Sequence, residues 1–112
     1  MVAYELQTPM TEIRETETFS KWLAALRDIV GRSRIVARVQ RLARGNPGDV
    51  RPVGAGISEL RIDHGPGYRV YFVKQGAVLV MLLCDGDKST QVRDIRIAKS
   101  LLDGLKDDDD VS

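Results

Sequence analysis

Strict alternation on either side of a Gly-Pro-Gly turn is the feature that most constrains how this chain can fold. Leu60-Arg61-Ile62 precedes Gly65-Pro66-Gly67, and Tyr68-Arg69-Val70-Tyr71-Phe72 follows it. Successive side chains of a strand point to opposite faces, so the two segments form a hairpin with one apolar face and one basic face. With a three-residue turn, Asp63 pairs with Arg69 and Arg61 with Tyr71, while Leu60, Ile62, Val70 and Phe72 share the other side. A slip of one residue would mix the two sets, so the apolar pattern selects this register. The expected strands are 57–63, 68–74 and 77–84. The last is apolar on both faces, as a central strand should be, and runs into Asp85-Gly86-Asp87-Lys88.

A greasy sheet face needs a cover, and two segments upstream provide one. Phe19, Trp22, Leu23, Leu26 and Ile29 recur at helical spacing, and Gly31 is placed to end that helix. A second helix over 33–44 turns Ile35, Val39 and Leu42 to one side and Arg34, Arg38 and Arg41 to another. Gly45-Asn46-Pro47-Gly48 stops it. Two such helices on so short a connection make an αα-hairpin. Residues 3–7 alternate weakly and add a candidate strand. From Lys88 or Ser89 the chain can turn helical again, with Val92, Ile95 and Leu102 among its apolar positions. The expected fold is α+β: a two-helix hairpin on a mostly antiparallel four-stranded sheet, with a C-terminal helix and an acidic tail over 104–112.

The 112 residues suit a single domain over 1–112, and 43% apolar residues supply a core burying roughly 60–70% of the unfolded surface. The longest apolar run, 77–84, is far short of the ~20 residues of a membrane span, and Glu5 interrupts any leader-like start, so a cytoplasmic protein is expected. Cys84 is the only cysteine and ends an apolar strand, as a core residue would. The net charge of +1 conceals a segregation. Lys21, Arg27, Arg32, Arg34, Arg38, Arg41, Arg44 and Arg51 crowd one stretch that holds only Asp28 and Asp49, and acids collect towards the two ends.

One histidine and one cysteine make no metal-ligand pattern, and neither glycine-rich turn has the strand–loop–helix setting of a phosphate loop, so no cofactor is expected. What remains is a concentration of Arg61, Arg69, Tyr68, Tyr71, His64 and Lys88 around one hairpin and the end of the next strand. Cations on neighbouring strands repel unless an anion is expected, which argues for a phosphate-bearing ligand, RNA above all. Pairing with Glu59, Asp63 or Asp87 is the alternative. RNA cleavage without a metal needs an activated 2′-hydroxyl, a stabilised phosphorane and a protonated leaving oxygen, and arginine, lysine and tyrosine can serve the last two.

Six blocks then appear in order: Phe19-Ser20-Lys21-Trp22-Leu23, Arg34-Ile35-Val36-Ala37-Arg38, Arg44-Gly45-Asn46-Pro47-Gly48-Asp49, Ile57-Ser58-Glu59-Leu60-Arg61-Ile62, the turn with Tyr68 to Phe72, and Gly86-Asp87-Lys88-Ser89-Thr90-Gln91. Together they resemble the phage-derived, HigB-like (addiction module killer) branch of the RelE/ParE toxin superfamily, over roughly residues 15–103. The resemblance implies the toxin of a type II toxin–antitoxin pair that cuts mRNA on the ribosome without metal and leaves a cyclic phosphate. It implies catalytic roles for Arg69 at the scissile phosphate, Arg61 on the neighbouring backbone, Lys88 in the transition state and Tyr71 in stacking or proton donation. Tyr68, His64 and Arg51 would bind RNA. A helix-turn-helix antitoxin would dock on Arg34, Arg38 and Arg41 to form a hetero-oligomer. Asp85 stands where the family pattern has glycine, close enough in sequence to pair with Lys88. Two further readings stay open: a ParE-like inhibitor that binds gyrase without nuclease activity, and a degenerate toxin that only binds its antitoxin.

Overall fold

The computed structural model describes residues 11–76 and 78–111. The chain runs β1 (Glu12–Glu15), α1 (Glu17–Ala25), α2 (Ile29–Ala43), β2 (Val50–Gly54), β3 (Ile57–Ile62), β4 (Tyr68–Gln75) and β5 (Leu79–Asp87). A 3-10 turn (Lys88–Thr90) then leads into α3 (Gln91–Val111). The sheet has five strands in the order β1-β5-β4-β3-β2, antiparallel except for the parallel pair of β1 with β5. The expected four strands are thus one too few. Glu12-Ile13-Arg14-Glu15 carries little apolar signal and joins the edge through its backbone, while Pro52 suits β2 to the opposite edge. The strand expected at 3–7 lies outside the described residues, and the segment 104–111, expected as a tail, continues α3.

Local chemistry sets the helix boundaries. Thr16 Oγ1 accepts the Phe19 N–H (3.1 Å) to cap α1, and Asp28 Oδ1 accepts the Gly31 N–H (2.9 Å) to cap α2. Gly31 therefore lies in the first turn of α2 and does not end α1. A Cβ at Gly31 would stand 2.6 Å from the Tyr68 ring and 2.6 Å from Asp28 Oδ2, so this glycine lets β4 approach the helix.

The hairpin pairs Arg61 with Arg69, Ile62 with Tyr68 and Glu59 with Tyr71, leaving five residues, 63–67, in the turn. This register differs by two residues from the expected one. An even shift keeps every side chain on its face, which is why the two-sided pattern survived. On one side Leu60, Ile62, Val70, Phe72, Val80 and Leu82 meet Phe19, Ile35 and Leu42 of the helical hairpin. On the other, Ile57, Tyr71, Val73, Leu83 and Cys84 meet Ala98 and Leu102 of α3.

A bulge between these layers has a functional consequence. Tyr71 pairs with Cys84 and Phe72 with Leu82, so Leu83 is the extra residue. Leu83 and Cys84 both join the α3 core, and the strand's alternation is reset. Asp85, opposite Val70, then faces the helical hairpin, whereas Gly86, opposite Arg69, faces α3.

Candidate functional site

Alternation along β3 places Glu59 and Arg61 on the α3 side, and β4 adds Arg69 and Tyr71. Two arginines directly opposite each other on neighbouring strands repel. The compensation is Glu59, which is 1% exposed. Its Oε1 lies 3.4 Å from Arg61 Nε and 3.5 Å from Arg69 Nη1, while Oε2 accepts the Tyr71 hydroxyl at 2.9 Å and the Gln91 amide at 2.8 Å. One carboxylate thus holds two guanidiniums in place and is itself held by β4 and α3. A buried ion pair is favourable only when its remaining polar groups are satisfied in this way.

The two arginines open onto a cleft of about 430 Å³ formed with Lys88, the hairpin loop Gly65–Gly67, Asp49 and Asp63. That volume lies in the range of small-ligand sites, roughly 300–1,000 Å³. Arg69 is the floor: 6% exposed, with its Nε buried and given no hydrogen-bond acceptor by the described residues. Arg61 is partly exposed, and Lys88 is exposed at the mouth. Lys88 is positioned by the end of β5, where Asp87 Oδ1 accepts the Ser89 N–H (2.8 Å) and Thr90 completes a capping box. Asp94, 2% exposed, anchors the same corner from α3 by accepting a hydrogen bond from Thr90. Gly86 is obligatory there, because a Cβ would overlap the Asp94 carboxylate.

Of the residues singled out in the sequence, Arg61, Arg69 and Lys88 come together and the others do not. Tyr71 is fully buried, and its hydroxyl is spent on Glu59 rather than presented to the cleft. Burial and the Glu59 carboxylate hold its pKa far above the usual tyrosine value. Tyr68 lies on the opposite face, packed edge-on against Trp22 (ring centroids 5.9 Å apart), with its hydroxyl donating to Asp28 Oδ2 at 2.8 Å. His64 stacks beside Tyr68 and places Nε2 3.4 Å from the same Asp28 oxygen. The capping bond from Gly31, and then the one from Tyr68, lower the Asp28 pKa. Arg51 is exposed on β2, directly across the ladder from Glu59.

Arg34 and Arg41 are exposed on α2, but Arg38 is half-buried. It donates to the carbonyls of Arg61 (2.8 Å) and Pro47 (2.9 Å), tying α2 to the cleft strand. The row of three arginines is therefore not a uniform docking face. Asp85 does not pair with Lys88, because the bulge turns it away. It is 5% exposed, neither of its oxygens has a hydrogen-bond partner among the described residues, and burial together with Asp94 and Glu15 raises its pKa to about 9. Cys84 is buried with its thiol pushed up to about 12, chiefly by burial, as a core residue rather than a reactive one.

Sequence reasoning missed Glu59 as an organiser and considered it only as a partner that might quench the cations. The spacing Glu59-Leu60-Arg61 already placed it on the arginine face and could have shown it. Gln91 and Asp28 had no such signal, since their partners are 32 and 40 residues away. Among the described residues no helix is long and apolar enough to cross a membrane.

No protein-family model matches the chain. It is 52% identical over 94 residues to an uncharacterized protein of Haemophilus influenzae, covering 84% of this chain and 95% of that one. Among solved structures it is similar to the toxin–antitoxin complex RelBE2 of Mycobacterium tuberculosis, with 24% identity and a TM-score of 0.49, covering 72% of this chain and 100% of that one.

Proposed function

The chain belongs to one family with the Haemophilus influenzae protein, and we propose that it is the toxin of a type II toxin–antitoxin pair, a metal-independent, ribosome-dependent mRNA endonuclease of the HigB-like branch of RelE/ParE toxins. The supporting observation is the convergence of Arg61, Arg69 and Lys88 on one cleft, with the two arginines on adjacent strands braced by one buried carboxylate. Such a brace keeps a dicationic pair assembled before a phosphate arrives, so no reorganisation is needed as charge develops.

In the proposed reaction the RNA 2′-oxygen attacks the adjacent phosphorus and loses its proton. The phosphorus–O5′ bond breaks, leaving a 2′,3′-cyclic phosphate and a 5′-hydroxyl. Arg69 and Arg61 stabilise the phosphorane oxygens, and Lys88 supplies charge, and a proton, towards the leaving O5′. Asp49 and Asp63 line the same cleft and offer carboxylates to receive the 2′-proton. Tyr71 acts one step back, fixing Glu59. The antitoxin would be a helix-turn-helix protein docking on the exposed Arg34 and Arg41, and both partners would be cytoplasmic.

The test is to map new RNA 5′ ends after a short pulse of expression, comparing the native chain with Arg69→Ala and Lys88→Ala. Cuts within translated codons that vanish in both variants are expected. Growth arrest without new ends would overturn the nuclease reading in favour of a gyrase-binding inhibitor, and undisturbed growth would favour a degenerate toxin.

A further inference from the structure

Lys88 belongs to two depressions at once. Beyond the arginine cleft it also lines an open trough of about 470 Å³ with Arg93 and Arg96, and Arg96 in turn lines a third, of about 300 Å³, with Val92 and Lys99. The three hollows share lining residues and so form one continuous basic surface. It runs from the cleft over the first turns of α3 to the β2–β3 turn, where Lys99 Nζ would lie 3.6 Å from a Cβ at Gly54. Along α3 the stretch from Gln91 to Lys99 spans roughly 12 Å at 1.5 Å per residue.

Lys88, Arg93, Arg96 and Lys99 are all exposed. Of these, only Arg93 has an ion-pair partner among the described residues, Asp94 at 3.2 Å. Helix stability alone would not select this arrangement. The backbone dipole favours acids at a helix N-terminus, yet the first three turns of α3 carry Arg93, Arg96 and Lys99 against the single acid Asp94, which is itself buried and bonded to Thr90. A charge order that works against the helix suggests an external anion. The two hollows on α3 are lined by Lys88, Arg93, Arg96 and Lys99 with the neutral Ser89, Thr90 and Gln91, and their apolar lining is Val92, 73% exposed, and Ile95, too little for the deep apolar pocket in which a protein segment would anchor.

We propose that this surface is a track for the backbone of the RNA strand flanking the cleft, with Arg96 and Lys99 contacting phosphates and Lys88 at the junction. The proposal rests on the RNA reading of the cleft and extends it to α3. Binding of fluorescein-labelled single-stranded RNA of 4 and 12 nucleotides would be measured by anisotropy across a salt series. The native chain, Arg69→Ala, Arg96→Ala/Lys99→Ala and a control pair on α1 and its exit, Lys21→Ala/Arg27→Ala, would be compared.

The Arg96/Lys99 pair should bind the 12-mer about tenfold more weakly and the 4-mer unchanged. Two lost phosphate contacts should reduce the slope of log affinity against log salt by about 1.4. The control pair should bind both RNAs as the native chain does. Unchanged 12-mer binding by the Arg96/Lys99 pair would overturn the track while leaving the cleft intact. A 12-residue polyglutamate peptide that binds the native chain as tightly as the 12-mer would also overturn it, in favour of an acidic protein partner. If Arg69→Ala leaves 4-mer binding untouched while the Arg96/Lys99 pair still loses the 12-mer, the track stands and the cleft reading falls.

Discussion

The two faces of the sheet are closed by different physics. Against α1 and α2, the β3 and β4 residues are mostly apolar; Asp28 meets Tyr68 and His64 at one corner, Arg38 reaches the Arg61 carbonyl, and β5 adds the buried Asp85. Against α3, the same two strands present Glu59, Arg61, Arg69 and Tyr71, and apolar packing is confined to the half beneath Ala98 and Leu102. The first face buries its surface by the hydrophobic effect and tolerates local repacking. The second is held by charges that must all be paired at once, and it is the one that opens into a cleft. The difference teaches that the α3 face accepts a less forgiving kind of packing in return for preassembled cations.

If that contrast is right, substitution should be most damaging where the charges depend on one another. Glu59→Ala should cost about 3–5 kcal/mol, because it leaves Arg61 and Arg69 facing each other without their shared counter-charge. Urea unfolding would measure it, and a loss below about 1 kcal/mol would show that the arginines do not need the brace. Glycine replacements then compare the faces directly. Gly86→Ala collides with the Asp94 carboxylate, whose place is fixed by Thr90, and is expected to cost about 3 kcal/mol. Gly31→Ala meets Tyr68 and Asp28, but a better helix former recovers about 1 kcal/mol, so a net loss of about 1–2 kcal/mol is expected. Equal losses at the two glycines, read as thermal midpoints, would erase the proposed difference in tolerance.

The prediction that varies with pH concerns Asp85, which among the described residues is the acid buried on the apolar face, opposite Val70. Its folded pKa of about 9 lies above the unfolded value of roughly 3.9. The folded state therefore keeps a proton that the unfolded chain releases, and the stability tied to this group is present below pH 4 and is lost as pH rises towards 9. Asp85→Asn should match the native chain near pH 4 and become progressively the more stable of the two up to pH 8. Denaturant midpoints at pH 4, 6 and 8 would check this, and a constant difference across that range would contradict it.

Much of this was legible in the chain itself. The alternation around Gly65-Pro66-Gly67 identified the hairpin and sorted Leu60, Ile62, Val70 and Phe72 from Arg61 and Arg69, because strand side chains have a period of two whatever the turn length. For the same reason it could not distinguish a three-residue turn from a five-residue one. Nor could it see the bulge at Leu83, since an apolar run such as 79–84 reads the same with or without an extra residue. That single residue decides whether Asp85 joins Lys88 or is buried on the far side. Tyr68 and Tyr71 read in the sequence as candidates for stacking or proton donation; in the structure each spends its hydroxyl on a carboxylate, that of Asp28, 40 residues away, and that of Glu59 on the adjacent strand.

The residues alone thus determined which side chains share a face, where glycine and proline interrupt the chain, and that cations collect around one hairpin. These are local properties of periodicity and backbone chemistry. The tertiary structure decided which cations are braced, which tyrosines are buried, that Arg38 is a strut, and that α3 carries the basic surface onward from Lys88. Those outcomes depend on packing between elements that the fold brings together, from 10 residues apart for Glu59 and Arg69 to 23 for Arg38 and Arg61, and burial is decided only when those elements meet.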